Sequence, residues 1–214
     1  EILREFGYSE EDDELCARLL DSILTDRDVK KLLERLERKI RNKDVVVFGA
    51  GPSLTEKLKR YKSLLSKCTL IAADGATTAL LENDVFPDIV VTDLDGKMDD
   101  ILKVDRAGEI ILVHAHGDNI EKVKKYGNEI KNMVGTTQTD PKKFKNLMNF
   151  GGFTDGDRAV FLAEHFGAKN IYLIGFDFDG RIGKYSFTRN KEIKIKKLEW
   201  CKRLLDIIEN VIFL

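Results

Sequence analysis

From Asp74 onward, acidic residues follow one apolar run after another. Ala73-Asp74-Gly75-Ala76 closes one run, and Thr92-Asp93-Leu94-Asp95-Gly96, preceded by Pro87-Asp88, closes the next. A third ends in His114-Ala115-His116-Gly117-Asp118-Asn119. Gln138-Thr139-Asp140, Asp155-Gly156-Asp157-Arg158 and Asp177-Phe178-Asp179-Gly180 come later. One loop aspartate is an ordinary turn or cap residue. Several at one edge of a sheet are different chemistry, because clustered carboxylates repel until a cation neutralises them. Hard oxygen donors favour Mg2+ over zinc, and Mg2+ shares its remaining positions with water and substrate phosphates. Asp93 and Asp95 flank one residue, which predicts two ligands on one face of an extended strand end. His114 and His116 have no third soft ligand nearby, so contact with phosphate or water is expected of them rather than zinc. His165 sits in an apolar helical stretch and reads as a packing residue.

A glycine turn completes the inventory. Gly49-Ala50-Gly51-Pro52-Ser53-Leu54 follows the first apolar run. It lacks the third glycine of GxGxxG and the lysine of a P-loop. Two readings stay open: a nucleotide contact with Ser53 at a helix start, or a tight strand-to-helix turn with no ligand.

These residues need elements that carry them to one place. The apolar runs are 45–48, 69–72, 89–92, 110–113, 170–174 and 211–213, with a weak candidate at Met133-Val134. Their apolarity is continuous rather than alternating, which predicts strands covered on both faces. Helical stretches near 53–65, 76–83, 98–106, 119–126, 155–166 and 191–209 separate them. Strand and helix in alternation predict an α/β fold: a three-layer, mostly parallel, Rossmann-like sheet, with ligands beyond the carboxyl ends of its strands. The region before Asn42 differs. Leu15, Leu19 and Ile23, joined by Leu20 and Leu24, recur at helical spacing, as do Val29, Leu32, Leu33, Leu36 and Ile40 after a capping Asp28. The expected division is a helical extension, 1–42, and an α/β catalytic domain, 43–214.

Composition narrows the class. The 214 residues are 43% hydrophobic, enough to bury a core without staples. Lys plus Arg number 36 against 37 Asp plus Glu, a net charge of -1, which excludes a broadly basic nucleic-acid-coating protein. No run is long and apolar enough to span a membrane. Cys16, Cys68 and Cys201 show no metal or disulfide spacing, so a reducing cytoplasm is expected.

Taken together, Asp74-Gly75-Ala76, the segment from Pro87 to Gly96, and Gln138-Thr139-Asp140 with Lys142 and Lys143 resemble the thiamine pyrophosphokinase catalytic domain. The archaeal 6-hydroxymethyl-7,8-dihydropterin pyrophosphokinases, the MptE type, are more similar still. They share the GAGPSL turn, the ADGAT segment, the TDLDG strand end and the GGFTDGDRA stretch found here at 151–159. Thr92 and Gly96 depart from the thiamine pattern, and too few residues remain for that family's second, β-sandwich domain.

The resemblance implies transfer of a pyrophosphoryl group from ATP to a primary hydroxyl, with release of AMP, in a folate- or tetrahydromethanopterin-type pathway. It implies Mg2+ on Asp74, Asp93 and Asp95. Asp140 would complete the acidic ring and orient the hydroxyl. Gln138, Lys142 and Arg158 would meet phosphates, and Gly49, Gly51, Ser53 and Gly75 the nucleotide. The pterin's 2-amino-4-oxo edge needs a carboxylate or amide partner, and Asn119, Asp157 and Asp177 stand as candidates. The partners implied are ATP and a small pterin alcohol, with no nucleic acid or membrane; a homodimer accords with the family's habits. A thiamine pyrophosphokinase-like enzyme, an S-adenosylmethionine-dependent methyltransferase and a non-catalytic nucleotide- or nucleotide-sugar-binding module are the alternatives.

Overall fold

Runs of β-branched residues pair side by side into a single parallel sheet. In the computed structural model, which describes residues 2–187 and 190–214, the strands are β1 Asp44–Phe48, β2 Thr69–Ala73, β3 Ile89–Thr92, β4 Ile110–Ala115, β5 Met133–Thr137, β6 Leu147–Met148, β7 Asn170–Ile174 and β8 Val211–Phe213. Their order is β6-β5-β4-β3-β2-β1-β7-β8, and each pairing is parallel. The weak candidate at Met133-Val134 is thus a full strand, and a two-residue edge strand lies beside it.

Parallel strands need crossovers, and helices supply them. They are α1 Ile2–Phe6, α2 Glu10–Leu24, α3 Val29–Ile40, α4 Leu54–Arg60, α5 Lys62–Leu65, α6 Ala76–Glu82, α7 Met98–Arg106, α8 Ile120–Tyr126, α9 Asp155–His165 and α10 Lys191–Leu205. The predicted helix 53–65 divides into α4 and α5 at Tyr61, whose φ of -103° and ψ of 18° leave the helical region. Among the described residues, no helix is long and apolar enough to cross a membrane.

Successive strand residues face opposite sides. Val46 and Phe48 join one buried cluster with Leu20, Leu24, Leu54, Leu80 and Ile101. Val45 and Val47 join a second with Leu36, Ile40, Val160 and Leu162. Both faces are therefore covered, and the architecture is three-layered as the continuous apolar runs require.

The first helices belong to these same clusters. Cys16, Ala17, Leu20 and Leu24 of α2 are fully buried against the β4–β5 side of the sheet. The stripe is shifted by one residue from the predicted one, and Leu15 is 57% exposed. Asp28 caps α3 by accepting from the Lys31 N–H at 3.0 Å. Asn42, where the sequence changes character, has φ of 57° and donates its N–H to the Gly167 carbonyl at 2.8 Å.

From β1 the chain steps through β2 to β6 on one side, then returns to place β7 on the other. The crevice beyond such a reversal is where open α/β sheets bind ligands.

Candidate active site

The carboxyl ends of β1 to β5 and of β7 open into one cleft, with a volume of about 230 Å³. The first turn of α9, one face of α10 and Tyr8 close its sides.

Three carboxylates meet at its centre. Asp74 follows β2, Asp93 follows β3 and Asp155 opens α9, and one oxygen from each lies within 4.8 Å of the others. Local backbone sets them there. Asp74 has φ of 41°, a left-handed conformation that is strained for a side-chain-bearing residue. Asp74 Oδ1 accepts from the Thr92 hydroxyl at 2.5 Å and from the Gly96 N–H at 3.0 Å. A Cβ on Gly96 would sit 2.9 Å from that oxygen, so the close approach requires glycine. Leu94 also has positive φ, 67°, and its N–H donates to the Thr92 hydroxyl at 2.8 Å.

That left-handed Leu94 departs from the extended strand end expected for Asp93 and Asp95. Alternate residues share a face only where the strand stays extended, and Leu94 is not extended. Asp95 still lines the cleft, but its carboxylate pairs with Lys122 and stays outside the central cluster.

The cluster is electrostatically uneven. Burial, then the charge of Asp93, lifts the Asp74 carboxyl to about 7 against the bonds from Thr92 and Gly96. Burial, Asp93 and Asp74 hold Asp155 well above the usual carboxylate range. Burial pushes Asp93 up as well, but His116, the Asp95 N–H and Lys197 outweigh it and hold Asp93 below that range. His116 Nε2 lies 3.4 Å from Asp93 Oδ2. Its Nδ1 accepts from the Asp118 N–H at 3.3 Å, which leaves Nε2 as the ring nitrogen that faces Asp93.

A polar group flanks the cluster on the β4–β5 side. Arg158 is 7% exposed and donates to Gln138 Oε1 at 3.2 Å. Gln138 Nε2 in turn donates to Asp13 Oδ2 of α2 at 2.5 Å. Buried His114 has Nδ1 3.0 Å from the Thr136 hydroxyl, while its Nε2 has no hydrogen-bond partner among the described residues. Burial first, then the Arg158 guanidinium and the neighbouring His116, hold His114 well below its ordinary value, so it stays neutral.

The other predicted residues fall in different places. Gly49, Gly51, Gly75 and Asp177 line the cleft. The glycines are needed for packing: a Cβ on Gly49 would stand 2.7 Å from the Gly175 carbonyl oxygen, and one on Gly75 1.9 Å from that of Tyr185. On Gly51 it would stand 2.3 Å from Asp177 Oδ2. The Ser53 N–H and hydroxyl both donate to that same oxygen, each at 2.9 Å, so the donors expected for a phosphate already hold a carboxylate.

Asp140 and Lys142 are exposed and do not line the cleft; Asp140 accepts from the Lys142 N–H at 3.0 Å, within its own turn. Asn119 is buried and outside the cleft lining. Its amide donates to the carbonyls of Asp93 and His114 and accepts from the Cys16 thiol and the His116 N–H. Asp157 is fully buried. It accepts from the N–H groups of Phe153 and Thr154 at 2.5 and 2.8 Å, and from the Thr154 hydroxyl. Asn119 and Asp157 thus brace the walls and do not line the cleft.

Asp155, Asp13 and Lys197 lie outside the site residues expected from the sequence, and Asp155 joins the central cluster. The signal was present: Thr154-x-x-Asp157 is a capping-box spacing, which assigns Asp157 to the helix end and leaves Asp155 unclaimed. Asp13 and Lys197 carried no such signal, since each sits among many charged residues of a helix.

Comparison with known proteins yields consistent relatives. The family model described as 6-hydroxymethylpterin diphosphokinase MptE-like matches residues 17–183. A protein of Methanothermobacter thermautotrophicus named 6-hydroxymethyl-7,8-dihydropterin pyrophosphokinase is 46% identical over 215 residues, 97% of this chain and 90% of its own. Proteins of the same name from Methanocaldococcus jannaschii and Pyrococcus furiosus are 43% and 48% identical. They cover 99% and 98% of this chain, and this chain covers 92% and 90% of theirs. Among solved structures, the MAf glycosyltransferase of Magnetospirillum magneticum AMB-1 has a similar fold, with TM-score 0.54 and 14% identity over 87% of this chain and 38% of that one.

Proposed function

The chain belongs to the 6-hydroxymethylpterin diphosphokinase MptE-like family, and on that premise we propose that it transfers a diphosphoryl group from ATP to 6-hydroxymethyl-7,8-dihydropterin. The pterin's hydroxymethyl oxygen bonds to the β-phosphorus. The bond from that phosphorus to the oxygen bridging it to the α-phosphorus breaks, AMP leaves with the electron pair, and the hydroxyl proton is released. The product would enter assembly of a folate- or tetrahydromethanopterin-type cofactor, in the cytoplasm.

The convergence of Asp74, Asp93 and Asp155 carries this reading. Octahedral Mg2+ at bond lengths of 2.0–2.1 Å sets neighbouring ligand oxygens roughly 3 Å apart and opposite ones roughly 4 Å apart. Three carboxylate oxygens within 4.8 Å fit that need after a small closure. Bound there, Mg2+ would neutralise charge on the polyphosphate. Asp95, at the rim beside Lys122, would act through water.

The chain's own groups supply the rest. Arg158 is a buried cation bonded to a neutral amide, suited to a phosphate oxygen. Neutral His114, its Nδ1 on the Thr136 hydroxyl, offers its Nε2 as an acceptor to bound water. Asp177 suits the pterin edge: its Oδ2 is taken up by Ser53, Oδ1 lies outside those bonds, and Phe176 lines the cleft beside it. Asp177 at the glycine turn also disfavours a nucleotide phosphate there, because two anions would compete for one set of donors.

The test is AMP release from ATP and Mg2+ with the pterin alcohol, and with thiamine in parallel. AMP formed with the pterin alone, and abolished by EDTA, is the expected result. AMP with thiamine alone would move the acceptor, and ADP in place of AMP would overturn diphosphoryl transfer.

A further inference from the structure

We infer that Asp13, on the N-terminal helix α2, is a positioning residue for Arg158 and acts through the amide of Gln138. This rests on the reading of Arg158 as a phosphate contact.

Hydrogen-bond direction carries the argument. Asp13 is 2% exposed, and both its oxygens accept: Oδ1 from the Gly117 N–H at 2.8 Å and Oδ2 from Gln138 Nε2 at 2.5 Å. Arg158 can only donate, and its Nη2 reaches Gln138 Oε1 at 3.2 Å. An amide has one end that donates and one that accepts. Held between an acceptor and a donor, Gln138 has one orientation that makes both bonds. Flipping it would set two acceptors face to face at Asp13 and two donors at Arg158. Asp13 therefore fixes which end of Gln138 faces the guanidinium, and so where that guanidinium sits above the cleft.

The same helix holds the other flank. A Cβ on Gly117 would stand 2.7 Å from the Cβ of Asp12, so glycine lets this turn dock directly on α2. The turn begins at His116, whose Nε2 faces Asp93. Cys16, one helical turn after Asp13, donates to Asn119, whose amide holds the Asp93 carbonyl. Helix α2 thus ties a metal-cluster carboxylate and a phosphate-facing cation to one rigid element.

A rescue experiment tests this, in the full chain. Asp13→Asn keeps an acceptor for the Gly117 N–H but turns a donor toward the Gln138 amide. Gln138→Glu keeps an acceptor for Arg158 but sets two carboxylates against each other. The double variant D13N/Q138E restores the pattern with the charge moved one residue along: the amide at 13 donates to the carboxylate at 138, which accepts from Arg158. Misplacing a group at a reacting centre costs on the order of 100-fold. The expected result is a loss of roughly 10- to 100-fold in kcat/KM for ATP in each single variant, with the KM for the pterin within about threefold, and recovery to within about fivefold of wild type in the double variant. Wild-type kinetics in D13N would overturn the inference, as would a double variant no better than the poorer single one. Rates that only follow the folded fraction in thermal melts would overturn it too. Should the wild type bind ATP and release no AMP, the proposed function fails by itself; the relay is then read from ATP affinity in the same four proteins, with the same order expected. A wild type that binds no ATP overturns both.

Discussion

The two parts of the strand-end cleft treat charge in opposite ways. Beyond β1 and β7, donors and acceptors are matched: the Gly49 and Gly51 N–H groups reach the carbonyls of Ile174 and Gly175, and Ser53 gives both donors to Asp177. Beyond β2 and β3, three carboxylates crowd together, and two are lifted out of their usual range. The first turn of α9 repeats the contrast over two residues. Asp157 closes a capping box, whereas Asp155 faces Asp74 and Asp93. Sequence distance separates these environments poorly, since Asp155 and Asp157 are two residues apart. Asp157 is satisfied within the wall, and the crowded carboxylates of Asp74, Asp93 and Asp155 are where the proposed cation would sit.

Three substitutions can break this contrast. The largest effect is expected at Asp155: Asp155→Asn removes one carboxylate from the cluster, and AMP release should fall by roughly 100-fold or more while the fold is kept. A steady-state assay with a thermal melt checks both. Asp157→Ala should do the reverse. It strips acceptors from the N–H groups of Phe153 and Thr154, and should cost about 2 kcal/mol of stability in denaturant melts, with most turnover kept below the melt. The smallest effect belongs to Asp95→Asn, which breaks an exposed pair with Lys122 worth under about 1 kcal/mol and should lower turnover by roughly tenfold or less. If D95N proved as damaging as D155N, the cluster would extend to the rim.

The fold was legible because the strands are apolar on both faces; Val45 to Phe48 leave no choice but burial between two layers. The meeting of Asp74 and Asp93 was legible too, since neighbouring parallel strands end at one edge. What escaped depended on backbone twists and hydrogen-bond partners that spacing does not encode. The left-handed Leu94 breaks the extended strand end and leaves Asp95 at the rim beside Lys122, and Asn119, read as a substrate contact, is taken up by two carbonyls. The part played by α2 escaped because Asp13 meets Gln138 across 125 positions of chain.

The most direct test of the uncompensated cluster is the melting temperature of the metal-free protein against pH, in wild type and D155N, with and without Mg2+. Asp74 and Asp155 have folded-state values raised above the ordinary carboxylate value of 3.8, with Asp74 at about 7. Over that window the native state binds protons that the unfolded chain has released, so their contribution is complete below about pH 4 and is lost as pH rises through about 7. The expected result is a wild type that loses more stability than D155N between pH 5 and roughly 7.5, with Mg2+ erasing the difference. Parallel profiles for the two proteins, unmoved by Mg2+, would contradict the assignment of Asp74, Asp93 and Asp155 as a cation site.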